Sequence, residues 1–372
     1  MAGFRSRGHP AALAAVQRAI RHGRPPHALL LVGPSGVGKT TLALDLAAGL
    51  LCQDPDPATR PCGGCAACHK VAHGNHPDLH RLAPEGAGDQ IRLAQVQRLT
   101  TDLALLPMEG RWRVAVIESA HRLNPDAQNA LLKTLEEPVG AACIILAADD
   151  PSALLPTVLS RVARLRLGPI DPAVIAELLV ERGLADAPRA ARLARVAGGR
   201  PGVAIALAED PAALLNADRL ARSLLDLSGA DRRTRLAAVP ELLADGAALD
   251  DSLRGAPPES EPARGKPSSR AAAAPARRPA PAERRRAAIR VLTTWREVGR
   301  DLVVVARHDH GHVRHLDLLE QFVELAATMD TRGVLEFLER LDALIDAIEA
   351  YANPELTLDA LVLAWPRARP AA

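Results

Sequence analysis

Four of the five cysteines fall in one short segment: Cys52, Cys62, Cys65 and Cys68, spaced C-x9-C-x2-C-x2-C. Thiolates are soft ligands, and four of them can close a tetrahedral Zn²⁺ site. With no coordination position left open, such a metal is structural and not catalytic. Gly63-Gly64 allows the tight turn that the short spacings need. Clustered thiols suit a metal in a reducing compartment better than disulfides do. His69, His73 and His76 follow closely, but four thiols suffice, so these histidines are read as surface residues. Cys143 precedes an apolar run and reads as a small buried residue.

Just upstream stands Gly33-Pro34-Ser35-Gly36-Val37-Gly38-Lys39-Thr40, then Thr41. This meets the pattern G-x4-G-K-[ST] in full, after an apolar run and before a helical stretch. Glycines there let backbone N–H groups turn inward around phosphate oxygens, helped by the helix N-terminus. Lys39 is placed to reach β- and γ-phosphates and Thr40 to ligate Mg²⁺. Lysine occurs only four times in the chain, which makes its presence here more telling. Hydrolysis also needs an acid at the end of a second strand and a carboxylate beside it to polarise water. The run Val114–Ile117 ends in Glu118-Ser119. Glu118 can serve the metal, but a serine hydroxyl is far too weak a base to activate water. ATP binding is therefore expected, and independent turnover is not.

The elements that must hold these groups follow from composition and pattern. The chain has 372 residues, 48% of them apolar and only 2% aromatic, enough for two or three domains rich in helix. No apolar run approaches a membrane span, and the N-terminus lacks a signal peptide's apolar core. A cytoplasmic protein without membrane partners is expected. The net charge of +2 conceals an uneven distribution, since residues 254–286 hold nine basic and three acidic side chains. The remainder then carries 37 basic against 41 acidic, so no overall positive field holds this protein on nucleic acid.

Residues 11–22 read as an amphipathic helix, 28–32 as a buried strand, and 39 to about 51 as a helix. A helical stretch follows near 91–105, then strands over 114–117 and 144–148. Asn124-Pro125 supplies a cap and first-turn proline for the helix between those strands, and Pro138 stops it. Strands alternating with helices predict a parallel sheet covered on both faces, an α/β nucleotide-binding domain over residues 1–168. Beyond Pro172 helices dominate: 172–183, 187–197, a third opened by Gly198-Gly199-Arg200-Pro201-Gly202, and an amphipathic stripe over 334–350. The Pro/Ala/Ser/Arg-rich tract 252–285 has too few large apolar groups to offset ordering entropy and reads as a flexible insertion.

Two longer strings add a resemblance. Asn129-Ala130-Leu131-Leu132-Lys133-Thr134-Leu135-Glu136-Glu137-Pro138 and Leu155-Pro156-Thr157-Val158-Leu159-Ser160-Arg161, with the loop and the cysteines, resemble bacterial DNA polymerase III clamp-loader subunits of the AAA+ class. The likeness is strong over residues 8 to about 210 and weak beyond. It implies an AAA+ P-loop core over 1–168 with a four-cysteine zinc module at 52–68, a helical lid over 169–212, and an all-α collar over 213–372. It also implies a hetero-oligomer with τ/γ and δ subunits that loads a sliding clamp onto primed DNA, with no polymerase site in this chain.

Two subunit types of that family share the cysteine module, the ATP-hydrolysing τ/γ motor and a second type that supplies an arginine. The family's Asp-Glu pair reads Glu118-Ser119 here, its polar sensor Ala148-Asp149, and its Ser-Arg-Cys motif Ser160-Arg161-Val162. Loss of both base and sensor implies the second type. Arg161 is then the arginine finger, acting on the nucleotide of a neighbouring subunit. Arg200 is expected to approach this chain's own nucleotide. The rivals are the τ/γ motor and a stand-alone zinc-containing AAA+ DNA-binding protein. His308, His310, His312 and His315 with Asp309 read as a solvated connection, the Arg-rich tract as a solvated linker, and Glu136-Glu137 as surface or subunit-contact groups.

Overall fold

The computed structural model describes residues 3–85, 89–137, 140–254, 280–349 and 352–367. Pro138 and residues 255–279 of the Pro/Ala/Arg-rich tract lie outside the described residues. The chain divides into two compact units, one of Met1–Leu178 with Gly199–Gly202, the other of Leu179–Gly198 with Val203–Ala372.

In the first unit five strands, β1 (Ala28–Val32), β2 (Leu79–Leu82), β3 (Arg113–Ile117), β4 (Ala142–Ala148) and β5 (Ala163–Arg166), form one parallel sheet in the order β2-β3-β4-β1-β5. Apart from Arg113 at the start of β3, the inner strands are apolar because both of their faces are buried. Leu29 and Leu31 of β1, Val114 and Val116 of β3, and Cys143 and Ile145 of β4 enter one core layer, beneath α1 (Pro10–His22) and α2 (Lys39–Leu51). Leu30, Ala115, Ile117, Ile144 and Leu146 enter the opposite layer, covered by α4 (Leu93–Leu103) and α5 (Pro125–Glu136). A short α3 (Ala66–Ala72) belongs to the cysteine segment, and α6 (Pro156–Leu159) precedes β5.

Helix starts follow local chemistry. Asn124 Oδ1 accepts from Ala127 N at 2.9 Å, and Pro125 fills the first helical position, where a missing N–H costs nothing. The N-terminal segment is pinned by a buried carboxylate on α2: Asp45 accepts from Arg5 N at 3.1 Å and Ser6 N at 2.8 Å. Strands β2 and β5 escape the sequence reading, since they are edge strands without an apolar run. Every residue of β5 but Leu165 is exposed.

The second unit is helical: α8 (Ala187–Val196), α10 (Pro211–Asp226), α11 (Arg232–Ala237), α12 (Val239–Arg254), α13 (Pro281–Ala306), α14 (Leu319–Thr328), α15 (Thr331–Glu349) and α16 (Pro354–Ala364). Helices α7 (Pro172–Glu181) and α9 (Pro201–Glu209) each have residues in both units. Helices α12 and α13 correct the expected insertion boundaries. Residues 252–254 still belong to α12, and α13 begins at Pro281, not after 285. Ion pairs fix both ends, for Asp250 meets Arg290 at 2.9 Å and Arg286 at 3.3 Å. The core of this unit centres on α13, where Trp295 packs against Phe337 and Trp365 at ring-centroid distances of 5.3 and 5.4 Å. Such tilted aromatic contacts add to the area they bury. Arg235 is itself buried, and its guanidinium donates to the carbonyls of Ser228, Ala230, Val362 and Trp365, tying α11 to the end of α16.

The histidine-rich connection is not uniformly solvated. His308, His310 and His312 are exposed, but His315 is buried on Asp301, donating or sharing a proton across 2.9 Å. Asp301 also accepts from Arg314 N and His315 N, so the loop closes over its carboxylate. Among the described residues these histidines form no metal-ligating group.

Candidate nucleotide and metal sites

The loop Gly33–Thr40 leaves the C-terminal end of β1, between β4 and β5, where open parallel sheets bind ligands. Gly36 and Gly38 have φ of 79° and 106°, values that L side chains rarely adopt. A Cβ on Gly33 would lie 2.1 Å from Leu167 O, so only glycine fits there. The loop is held from outside as well. His9 Nε2 lies 3.1 Å from Val37 O, and Gly202 N donates to Gly36 O at 2.8 Å. The Gly199–Gly202 turn, which carries Arg200, thus lies directly on the phosphate loop.

Thr40 and Thr41 open α2 behind Lys39. The Lys39 ammonium is buried and donates to Gly33 O at 2.7 Å and Pro34 O at 2.9 Å, and it meets Asp149 Oδ1 at 2.7 Å. Asp149 follows the last residue of β4, at the position where the sequence reading put the family's polar sensor. Its backbone N donates to His121 Nδ1 at 3.3 Å. Burial holds the His121 imidazole below its usual range, against the pull of Asp149.

Glu118 follows β3, but its carboxylate is engaged by Arg81 of β2, with Nε at 2.6 Å and Nη2 at 2.5 Å. Ser119 follows without any side-chain capping bond. Ser119 thus brings no carboxylate next to Glu118, and the acid beside Lys39 is Asp149. Arg161 follows α6, half exposed, and its guanidinium meets Glu136 Oε1 at 2.7 Å, Thr157 O at 2.9 Å and Ser160 Oγ at 3.1 Å.

Cys52, Cys62, Cys65 and Cys68 converge, with all four Sγ atoms within 4.8 Å of one another. A tetrahedron with Zn–S arms of about 2.3 Å has S···S edges of about 3.8 Å, and the Cys52–Cys65 separation is 3.9 Å. Helix ends position the thiols: Cys52 follows α2, Cys65 caps α3 and Cys68 lies within it. Backbone donors already aim at sulfur, Asp54 N and Cys62 N at Cys52 Sγ and Cys68 N at Cys65 Sγ. Burial raises the Cys52 and Cys68 thiols, while at Cys65 N–H donors from Gln53 and Cys68 outweigh burial and hold it at about 6. The group fits a metal ion, and it is the one such group among the described residues.

His76, read from the sequence as a surface residue, is buried. Its Nδ1 accepts from Asp78 N, placing it in the turn that leads into β2. Neighbouring Asp78 is fully buried and accepts from Met108 N, Glu109 N and Gly110 N at 2.6, 2.8 and 3.0 Å.

The sheet and its loop define a parallel α/β domain carrying a phosphate-binding motif and a four-thiol cluster. Residues 8–171 match the family model described as "DNA polymerase III, delta subunit". DNA polymerase III subunit delta' of Pseudomonas aeruginosa is 42% identical over 177 residues, 47% of this chain and 53% of that protein. DNA polymerase III subunit tau of Escherichia coli is 36% identical over 197 residues, 52% of this chain and 30% of that protein. A DNA polymerase III gamma subunit-related protein of Thermotoga maritima superposes with a TM-score of 0.40 at 18% identity, covering 95% of this chain and 97% of that one. The chain spans about half the length of the delta' relative it matches.

Proposed function

We propose that this chain is the δ′ subunit of a DNA polymerase III clamp loader and works by lending Arg161 to the nucleotide of an adjacent τ/γ subunit. One observation carries this reading above the τ/γ rival: the position that should hold a catalytic carboxylate is Ser119, and the acid before it, Glu118, is engaged by Arg81. A motor subunit needs a base there. A subunit that supplies a guanidinium does not.

On this reading the loop residues Gly33–Thr41 bind ATP with Mg²⁺, with Arg200 close by in its glycine turn. Bound Mg²⁺ would neutralise phosphate charge. The four thiols hold a structural Zn²⁺ that fixes the segment between α2 and α3. Residues 169–212 act as a lid and 213–372 as the collar that joins the subunits into a ring with τ/γ and δ, and the ring opens the sliding clamp for primed DNA. Arg161 follows a short, proline-started helix just before β5, which fixes where its side chain leaves the backbone. A guanidinium in that role stabilises charge that develops on the transferred phosphoryl group.

The similarity to the tau subunit keeps the motor reading as the runner-up. ATP turnover by the purified full chain, alone and mixed with a candidate τ/γ subunit, separates the two. The δ′ reading expects negligible turnover alone and stimulation of the mixture. Robust turnover by the chain alone contradicts it.

A further inference from the structure

An ammonium has three N–H donors, and Lys39 has all three occupied: by Gly33 O at 2.7 Å, Pro34 O at 2.9 Å and Asp149 Oδ1 at 2.7 Å. The carbonyls belong to the loop itself and can be exchanged for β-phosphate oxygens. The carboxylate is different. It occupies the same nitrogen that a third phosphate would contact. We propose that Asp149 makes this phosphate loop selective for nucleoside diphosphate over triphosphate, by taking the γ-phosphate's place on Lys39. The inference rests on the nucleotide reading of the loop given above.

Several contacts keep Asp149 there. It follows β4 directly, and Ala148 O accepts from Gly33 N at 3.3 Å, joining the strand end to the loop. Its own N–H is fixed on His121 Nδ1. His121 could offset the carboxylate by charging, but burial holds its imidazole below its usual range. The adjacent Asp150 is turned away, its carboxylate accepting from Ser152 N and the Ser152 hydroxyl. A diphosphate can therefore meet Lys39 while the ion pair persists. A triphosphate must displace the carboxylate or lie against it, and like charges at that separation repel strongly. A clamp-loader subunit built this way would sit with diphosphate while its neighbours cycle.

Calorimetric titration of the full chain with ADP and with ATP, each with Mg²⁺, tests this on wild type and Asp149→Asn. Asp149→Ser serves as a second variant, and circular dichroism melts verify that each is folded. Wild type is expected to bind ADP about tenfold or more tightly than ATP, and Asp149→Asn to recover that factor for ATP with ADP unchanged. Equal affinities in wild type, or a variant that strengthens both nucleotides alike, overturns the inference and leaves the loop's nucleotide reading standing. A variant that weakens Mg²⁺-ATP overturns it too, since Asp149 would then be a metal ligand. Absence of binding by every form overturns both readings of the loop.

Discussion

Arg161 Nη2 lies 2.7 Å from Glu136 Oε1, at the last turn of α5. The guanidinium proposed to serve another subunit is thus folded back on its own domain, held by a carboxylate from the Asn129–Pro138 string. Lys39 and Asp149 repeat the arrangement inside the phosphate loop. Each of the two cations is paired with an acid of its own domain.

Both partners in the Arg161–Glu136 pair are at least a third exposed, so the pair contributes at most about 1 kcal/mol to stability. Glu136→Gln should shift the melting temperature by less than about 2–4 °C. In the assembled loader it should raise ATP turnover, because the freed guanidinium no longer exchanges one anion for another. A loss as large as that of removing Arg161 would instead make Glu136 a group the assembly needs to aim the arginine.

Asp78→Ala leaves three backbone N–H groups of residues 108–110 without their acceptor, at a cost of about 3 kcal/mol. Burial pushes the Asp78 carboxyl up, but those three donors outweigh it and hold it below the usual range. A depressed folded value means the contribution is present above the unfolded carboxylate's value of about 3.9 and fades as pH falls through the folded one. Denaturant melts of wild type and variant should differ at pH 7 and converge on strong acidification.

His315 has the opposite sign. Burial lowers it, yet its bond to Asp301 and the charges of Asp301, Glu297 and Asp218 raise it above its usual range. The stability it contributes is complete below about pH 6.5 and is lost as pH rises through its folded value. His315→Gln should therefore flatten the fall in stability of the helical unit between neutral and alkaline pH. Asp301→Ala should cost about 3 kcal/mol, since it leaves the N–H groups of Arg314 and His315 without their acceptor. Equal pH profiles for wild type and His315→Gln would remove His315 from the account.

The purified chain should carry one metal ion per molecule, bound by the four thiols. Cys65→Ser, or prolonged chelation, should release it and lower the melting temperature of the first unit, because metal binding and folding of such a segment are coupled. Native mass spectrometry reads the stoichiometry. A protein isolated without metal, melting alike with and without chelator, would contradict the structural role.

What could be read from the sequence was local. Strands β1, β3 and β4 announce themselves as apolar runs because both faces are buried, and Asn124-Pro125 marks the start of α5 by its own chemistry. The phosphate loop and the four thiols are each written within one short segment. Strand β2, Leu79-His80-Arg81-Leu82, buries only its two leucines and offers no such run. With it went the Arg81–Glu118 pair, whose partners are 37 residues apart and meet only in the parallel register of β2 and β3. Asp149 was visible as a departure from the family the sequence resembles, but its contact with Lys39 depends on β4 lying next to β1. The contact of buried His315 with Asp301 likewise joins residues that are 14 apart in the chain.

The central claim is tested most directly by Arg161→Ala in a loader reconstituted from τ/γ, δ and this chain, with primed DNA and sliding clamp. DNA-stimulated ATP turnover should fall, by on the order of 10³-fold at the site the arginine serves, while the variant still assembles and binds its own nucleotide as wild type does. Turnover equal to that of the wild-type loader would contradict the account.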